Sequence, residues 1–138
     1  MTRGITILLP TFNEVDALPG VVEALPLKEL KAAGWTPRIV VADGRSTDGT
    51  QELVTKMGLE LIVQGPPAGK GFGMREAFAR FLTHDDDVLV MLDADGTYAP
   101  KDMLRLIRHL ERGEYDVVIG SRLRGNIQPR AMSRLNWI

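Results

Sequence analysis

Asp93 and Asp95 stand one residue apart, directly after the apolar run Val88-Leu-Val-Met-Leu92. Two carboxylates on a fixed chain end are hard oxygen donors. They suit a divalent cation that keeps several waters and takes its other ligands from a substrate phosphate. The apolar run is too short for a buried helix and reads as a strand covered on both faces, of the kind found inside a parallel sheet. Gly96 lets the chain turn, and Pro100 opens a new helix at its first turn. The bland alternative is a solvated strand-to-helix turn made of good turn formers.

The elements that must position these acids are short apolar runs alternating with helical patterns, the signature of βαβ units around a mostly parallel sheet. Strands are expected at residues 5–9, 38–42, 59–64, 88–92 and 117–120. The first, second and fourth lead into loops holding Glu14, Asp43, and Asp93 with Asp95. In an open parallel sheet such loops share one edge, so these acids are expected to line one crevice. Asn13 is placed to cap the first helix with Asp16 three residues on, and Asp48 with Gln51 to cap the third. Met74, Ala77, Phe78, Phe81 and Leu82 recur at helical spacing and read as core. Lys70, between two glycines at a helix start, is a candidate anion clamp, although a lysine there can equally be solvated. The stretch 65–71 is not a Walker A motif, because its glycines are too close and Gly71 stands where a hydroxyl must bind magnesium. The first loop also lacks the glycine pattern of dinucleotide-binding folds.

Composition narrows the class. With 138 residues, 44% hydrophobic and 25% charged, the chain is expected to form one globular domain with a sizeable core. A net charge of -1 gives no general argument for nucleic acid as a partner. The absence of cysteine excludes disulfides, thiolate metal sites and thiol nucleophiles. Nothing approaches the length of a membrane-spanning helix, so a cytoplasmic location is expected, with contact at the cytoplasmic face of a membrane allowed. His84 and His109 read as surface residues near helix ends, and Trp35 and Trp137 as packing residues.

Two known patterns fit the acidic stretch. Asp93-Ala-Asp95 resembles the Asp-x-Asp metal motif of nucleotide-sugar glycosyltransferases, and Asp93-Ala-Asp-Gly-Thr97 resembles the nucleophile motif of haloacid-dehalogenase-type phosphatases. The phosphatase pattern requires its strand to come early, whereas here little chain follows Thr97 and the next strand ends at Ser121-Arg122. The phosphatase, with Asp93 as nucleophile, is therefore the runner-up. Leu9-Pro-Thr-Phe-Asn-Glu14, Asp43-Gly-Arg-Ser-Thr-Asp-Gly-Thr50, Gly69-Lys-Gly71, Asp93-Ala-Asp95 and Gly120-Ser-Arg122 occur in the order and rough spacing of glycosyltransferase family 2. The chain is similar to the dolichyl-phosphate mannose or glucose synthase branch, over nearly its whole length.

The resemblance implies an α/β fold of the GT-A (Rossmann-like) type, a mostly parallel sheet flanked by helices. It implies that Pro10, Phe12, Glu14 and Asp43 hold the nucleotide base and ribose, Lys70 the diphosphate, and Asp93 and Asp95 the metal, Mn²⁺ or Mg²⁺. It implies a metal-dependent inverting transferase, with Asp95 and Arg122 as catalytic residues and a nucleoside-diphosphate sugar of the UDP-glucose or GDP-mannose type as donor. Many relatives have Asp-Asp-Gly-Ser where this chain has Asp43-Gly-Arg-Ser46, which leaves base preference and the role of Arg45 open. Relatives also continue past the end of this sequence, so 1–138 is expected to be a nucleotide-sugar-binding domain lacking an acceptor-side portion. Such a domain could bind donor and metal without transferring.

The tail bears on the acceptor independently of family. From Val117 to Ile138 there is no acid, yet Arg122, Arg124, Arg130 and Arg134 are present. A neutral hydroxyl acceptor needs a positioned base, usually a carboxylate, whereas a phosphate acceptor is already an anion. Arginine forks bind phosphate oxygens two at a time. The segment thus fits a phosphorylated acceptor such as a polyprenyl (dolichyl) phosphate, and the resemblance to the synthase branch implies Arg122 and Arg134 as the candidates that hold it. The competing reading is a basic end that meets anionic lipid heads, at about 1 kcal/mol per charge.

Overall fold

The computed structural model describes residues 3–67 and 69–121. The chain divides into two compact units, Met1–Leu104 and Arg105–Ile138. The first carries a four-stranded sheet, all of whose pairings are parallel, in the order β3-β2-β1-β4. In chain order the elements are β1 (Arg3–Thr11), α1 (Leu18–Glu23), α2 (Leu27–Ala32), β2 (Trp35–Asp43), α3 (Thr50–Lys56), β3 (Glu60–Val63), α4 (Lys70–Phe81), β4 (Val88–Met91) and α5 (Met103–Glu111). This is the α/β architecture expected from the alternation of apolar runs and helical patterns.

β1 is the buried axis of the sheet. Ile5, Ile7, Leu8 and Leu9 are at most 1% exposed, and burying each contributes roughly 1.5–3 kcal/mol. β-branched residues favour the strand, and Pro10 is tolerated near its end because the pairing with β4 covers only Ile5 to Leu8. Register fixes the two faces. Leu8 lies beside Val40, and Ala42 beside Ile62. These residues form a core with Ala77, joined by Met74 and Leu89, so α4 covers that face. With a side-chain period of two, Pro10, Ala42, Gly44 and Gln64 continue the same face toward the carboxyl ends, while Thr11 and Asp43 belong to the other.

Several expectations need correction. β4 is an edge strand among the described residues, with β1 as its neighbour. Val88 and Leu89 are half-buried and Met91 is exposed. An apolar run signals a buried strand only when both faces and both edges are covered. Residues 117–120 form no strand, and Val117 and Ile119 are exposed. Asn13 does not cap α1, which begins five residues later with Pro19 in its first turn. Of the apolar positions on α4, Ala77 alone is buried, and Phe78 and Leu82 are exposed. In the second unit the described residues are the rest of α5, a left-handed turn at Gly113, and an irregular stretch to Ser121. Arg122, Arg124, Arg130, Arg134 and Trp137 lie outside the described residues.

Candidate active site

The strand order reverses beside β1: the chain steps outward to β2 and β3, then returns to place β4 on the other flank of β1. Loops leaving such a switch point splay apart and open a crevice at the carboxyl edge. Here that crevice is a cleft of about 430 Å³ within the first unit. Pro10, Phe12 and Glu14 enter it from the β1 loop, Lys70 from the start of α4, and Asp93 and Asp95 from the loop after β4. Of the residues expected to bind nucleotide or metal, these six line the cleft. Asp43 does not.

The pleat accounts for Asp43. It sits on the face opposite Ala42 and is 1% exposed. Its Oδ1 accepts hydrogen bonds from the Thr11 and Ser46 hydroxyls at 2.8 and 2.6 Å. Its Oδ2 accepts from the Ser46 backbone N–H at 2.8 Å and from Gln51 Nε2 at 2.7 Å. Burial alone raises the carboxyl's pKa, but the bonds from Ser46, Thr11 and Gln51 more than offset this and hold it below the ordinary aspartate value. Asp43, expected to hold base or ribose, is here bonded to Thr11, Ser46 and Gln51 and does not line the cleft. Gln51 is spent on Asp43 rather than on a helix cap.

From Asp43 a chain of bonds runs into the β1 loop. Asn13 donates its backbone N–H to Ser46 Oγ at 2.8 Å, and its Oδ1 accepts from the Thr47 N–H at 2.9 Å. That second bond supports the left-handed backbone of Asn13, at φ 56°. Asp48 accepts from the Val15 N–H at 3.1 Å and from the Thr50 N–H and hydroxyl at 3.0 and 2.5 Å. The Glu14 N–H in turn donates to Thr50 Oγ1 at 3.1 Å. The β1 and β2 loops are thus tied together before any ligand arrives, and Phe12 is left 63% exposed at the cleft.

The opposite wall is electrostatic. Lys70 Nζ donates to Asp93 Oδ1 at 3.1 Å, and the Thr97 N–H donates to Asp95 Oδ1 at 2.8 Å. Glu14 has its pKa raised by partial burial first, then by the negative charges of Asp95, Asp48 and Asp93. Excess negative charge gathered this way favours a cation. Among the described residues no group of three His, Cys, Asp or Glu side chains is gathered to hold a metal ion. The donor set present is therefore the pair Asp93 and Asp95, which fits a hard cation completed by substrate oxygens rather than an all-protein cage. Gly69, Lys70, Gly73 and Met74 bring the first turns of α4 to the cleft, where unpaired helix-start N–H groups favour anions.

Sequence reading missed Gln64, Gly44 and Gly73 as cleft residues. The signal for Gln64 was available: with Ile62 pointing into the α4 core, Gln64 two residues on must face the same way at the carboxyl end.

The chain has relatives among known proteins. The chain is 37% identical over 134 residues to glycosyltransferase AglJ of Haloferax volcanii, covering 97% of this chain and 41% of that protein. It is 33% identical to the low-salt glycan biosynthesis hexosyltransferase Agl6 of the same organism, covering 96% of this chain and 30% of that one. The chain therefore spans less than half the length of these relatives. Among solved structures it resembles glucosyl-3-phosphoglycerate synthase of Mycobacterium tuberculosis in complex with UDP, with a TM-score of 0.64 and 23% identity over 81% of this chain and 41% of that one. The same synthase has been crystallised with Mn²⁺, UDP and phosphoglyceric acid. At that identity the likeness establishes the fold. The sequence model of glycosyl transferase family 2 matches residues 6–137, and with the paired aspartates, the anion-ready helix start and the cleft between them in place, the chain belongs to that family.

Proposed function

We propose that this chain forms the donor-binding part of a metal-dependent inverting glycosyltransferase that moves a sugar from a nucleoside diphosphate to a polyprenyl phosphate. One observation carries the reading: three separate segments deliver Phe12, Glu14, Lys70, Asp93 and Asp95 to one cleft. That set matches the parts of a nucleotide sugar, an aromatic wall for the base and a charged wall for the diphosphate and its cation. Family membership removes the ground for the phosphatase reading of Asp93.

In this reading Asp93 and Asp95 hold Mn²⁺ or Mg²⁺, which when bound supplies Lewis-acid neutralisation of the departing nucleoside diphosphate. Lys70 leaves Asp93 for a phosphate oxygen, and the α4 N–H groups share the load. Phe12 and Pro10 orient the base, and Glu14 lies toward the ribose. A phosphate oxygen of the acceptor forms the new bond to the anomeric carbon as the bond to the diphosphate oxygen breaks on the opposite face, so the configuration inverts. Arg122 and Arg134 are proposed to hold that acceptor phosphate, on the strength of the acid-free, arginine-rich sequence from Val117 onward. A lipid acceptor places the reaction at a membrane surface, and among the described residues no helix is long and apolar enough to cross one.

The test is incubation of the chain with Mn²⁺, radiolabelled UDP-glucose or GDP-mannose, and a short polyprenyl phosphate. Labelled glycolipid formed only with metal is the expected product. Donor binding without transfer would reduce the chain to a nucleotide-sugar-binding module, and failure to bind any nucleoside diphosphate with Mn²⁺ would defeat the assignment.

A further inference from the structure

Phe12, Gly44 and Gln64 frame a slot at one side of the cleft. A Cβ built on Gly44 would stand 3.3 Å from the Thr11 carbonyl oxygen, 3.6 Å from Phe12 Cδ2 and 3.8 Å from Gln64 Oε1. The glycine therefore keeps open a space with an aromatic ring and a carboxamide oxygen both within 4 Å of one point. Gln64 is 6% exposed, and its Nε2 donates to the Pro67 carbonyl at 2.9 Å. A carbonyl only accepts, so this bond fixes which end of the amide is oxygen. Gly73 lets the amide lie against α4, since a Cβ there would come within 2.8 Å of Oε1.

Among the described residues no donor is bonded to Gln64 Oε1. No sealed side-chain polar atom among them lacks a partner, so this oxygen opens onto the cleft that Gln64 lines. An amide oxygen so placed, mostly buried yet reached from the cleft, favours a ligand that supplies an N–H or O–H.

We propose that Gln64 is a specificity-determining residue: its Oε1 accepts the ring N–H of a nucleobase lying beside Phe12 in the slot that Gly44 keeps open. The inference rests on the donor reading given above. Uracil at N3 and guanine at N1 carry that N–H, whereas cytosine and adenine present a bare ring nitrogen whose lone pair would face Oε1. Sites built around a buried polar group reject ligands that cannot pair it.

Calorimetric titration of the full chain with Mn²⁺ and UDP, CDP, GDP, ADP or inorganic pyrophosphate tests this. The unsubstituted chain is expected to prefer UDP over CDP, or GDP over ADP, by about tenfold. Gln64→Met should bring the preferred pair within about twofold while leaving pyrophosphate affinity unchanged. Gly44→Ala, which fills the slot at a backbone conformation that alanine can adopt and with a small shift against the Thr11 carbonyl, should weaken the nucleoside diphosphates but not pyrophosphate, and it serves as the readout if Gln64→Met does not fold. Retention of the full preference by Gln64→Met, equal loss of pyrophosphate, or unchanged nucleotide binding by Gly44→Ala would each overturn the role of Gln64 while leaving the donor reading intact. If the unsubstituted chain bound none of the four nucleotides, both would fall.

Discussion

At the amino end of the face covered by α4, Arg38 bonds Glu60 at 2.7 Å, Asp86 at 3.0 Å and the Thr6 hydroxyl at 2.9 Å. The same Thr6 hydroxyl donates to Asp86. Burial alone raises the pKa of Asp86, but Thr6 and the Arg38 guanidinium outweigh it and the carboxyl stays below the ordinary range. At the carboxyl end of that face, Asp93 meets a lysine that is 67% exposed, and Glu14 is pushed the other way by burial and by like charges. One end ties both of its acids to the Arg38 guanidinium and is finished by folding. At the other, like charges gather around Glu14 at a cleft that a ligand can enter, and this difference separates a structural cluster from a candidate functional one although both are made of acids near a base.

The largest expected effect breaks the functional end alone. Asp93→Ala or Asp95→Ala should lower affinity for a nucleoside diphosphate with Mn²⁺ by a hundredfold or more, about 3 kcal/mol, with the midpoint of urea unfolding little changed. Calorimetry and denaturation on the same samples check both halves. Loss of folding without loss of binding would invert the comparison.

The next pair exchanges the two cations. Arg38→Met strands Asp86 and Glu60 beside each other and should cost about 2 kcal/mol of stability, read from urea unfolding. Lys70→Met removes an exposed pair worth under about 0.5 kcal/mol, yet should weaken pyrophosphate binding by about tenfold. Equal effects of the two substitutions on stability would show that the ends do not differ.

Acid titration gives a smaller and signed effect. Asp43 and Asp86 have folded pKa values below their unfolded ones, so their contribution is complete above the ordinary aspartate range and is lost as pH falls through the folded values. Glu14 is raised, so its sign is opposite: the folded state holds its proton more tightly, and stability drops as pH rises through its raised value. Thermal unfolding should therefore fall steeply below about pH 4, and Glu14→Gln should raise the midpoint at neutral pH. A lower midpoint for Glu14→Gln would contradict the like-charge account.

The sequence carried the positions of the strands and the convergence of their loops, because apolar runs and acids at their ends are local signals. What it did not carry depended on pairing. The exposure of Met91 on β4 follows from strand order, which no single run encodes, and Val117 and Ile119 have strand-like chemistry without a ladder to join. The position of Asp43 was missed for a different reason. Counting by twos from Ala42, packed toward α4, already turns Asp43 to the other face, and the four donors at Thr11, Ser46 and Gln51 are within reach in sequence or register. The missing step was parity.

The smallest effect concerns the two left-handed residues of the loops that carry the cleft. Asn13, at φ 56°, holds its conformation with a side-chain bond to Thr47. Arg45, at φ 69°, is exposed and makes no side-chain hydrogen bond among the described residues. A left-handed residue other than glycine costs about 1–2 kcal/mol, of which glycine's extra freedom in the unfolded chain returns about 0.5–1 kcal/mol. Arg45→Gly should therefore stabilise by up to about 1 kcal/mol, whereas Asn13→Gly should destabilise, since it leaves the Thr47 N–H without its acceptor. Because Arg45 does not line the cleft, pyrophosphate affinity with Mn²⁺ should stay within about twofold in Arg45→Gly. A destabilised Arg45→Gly would mean that the arginine itself shapes the loop, and that Asp43 and Ser46 do not suffice to hold it.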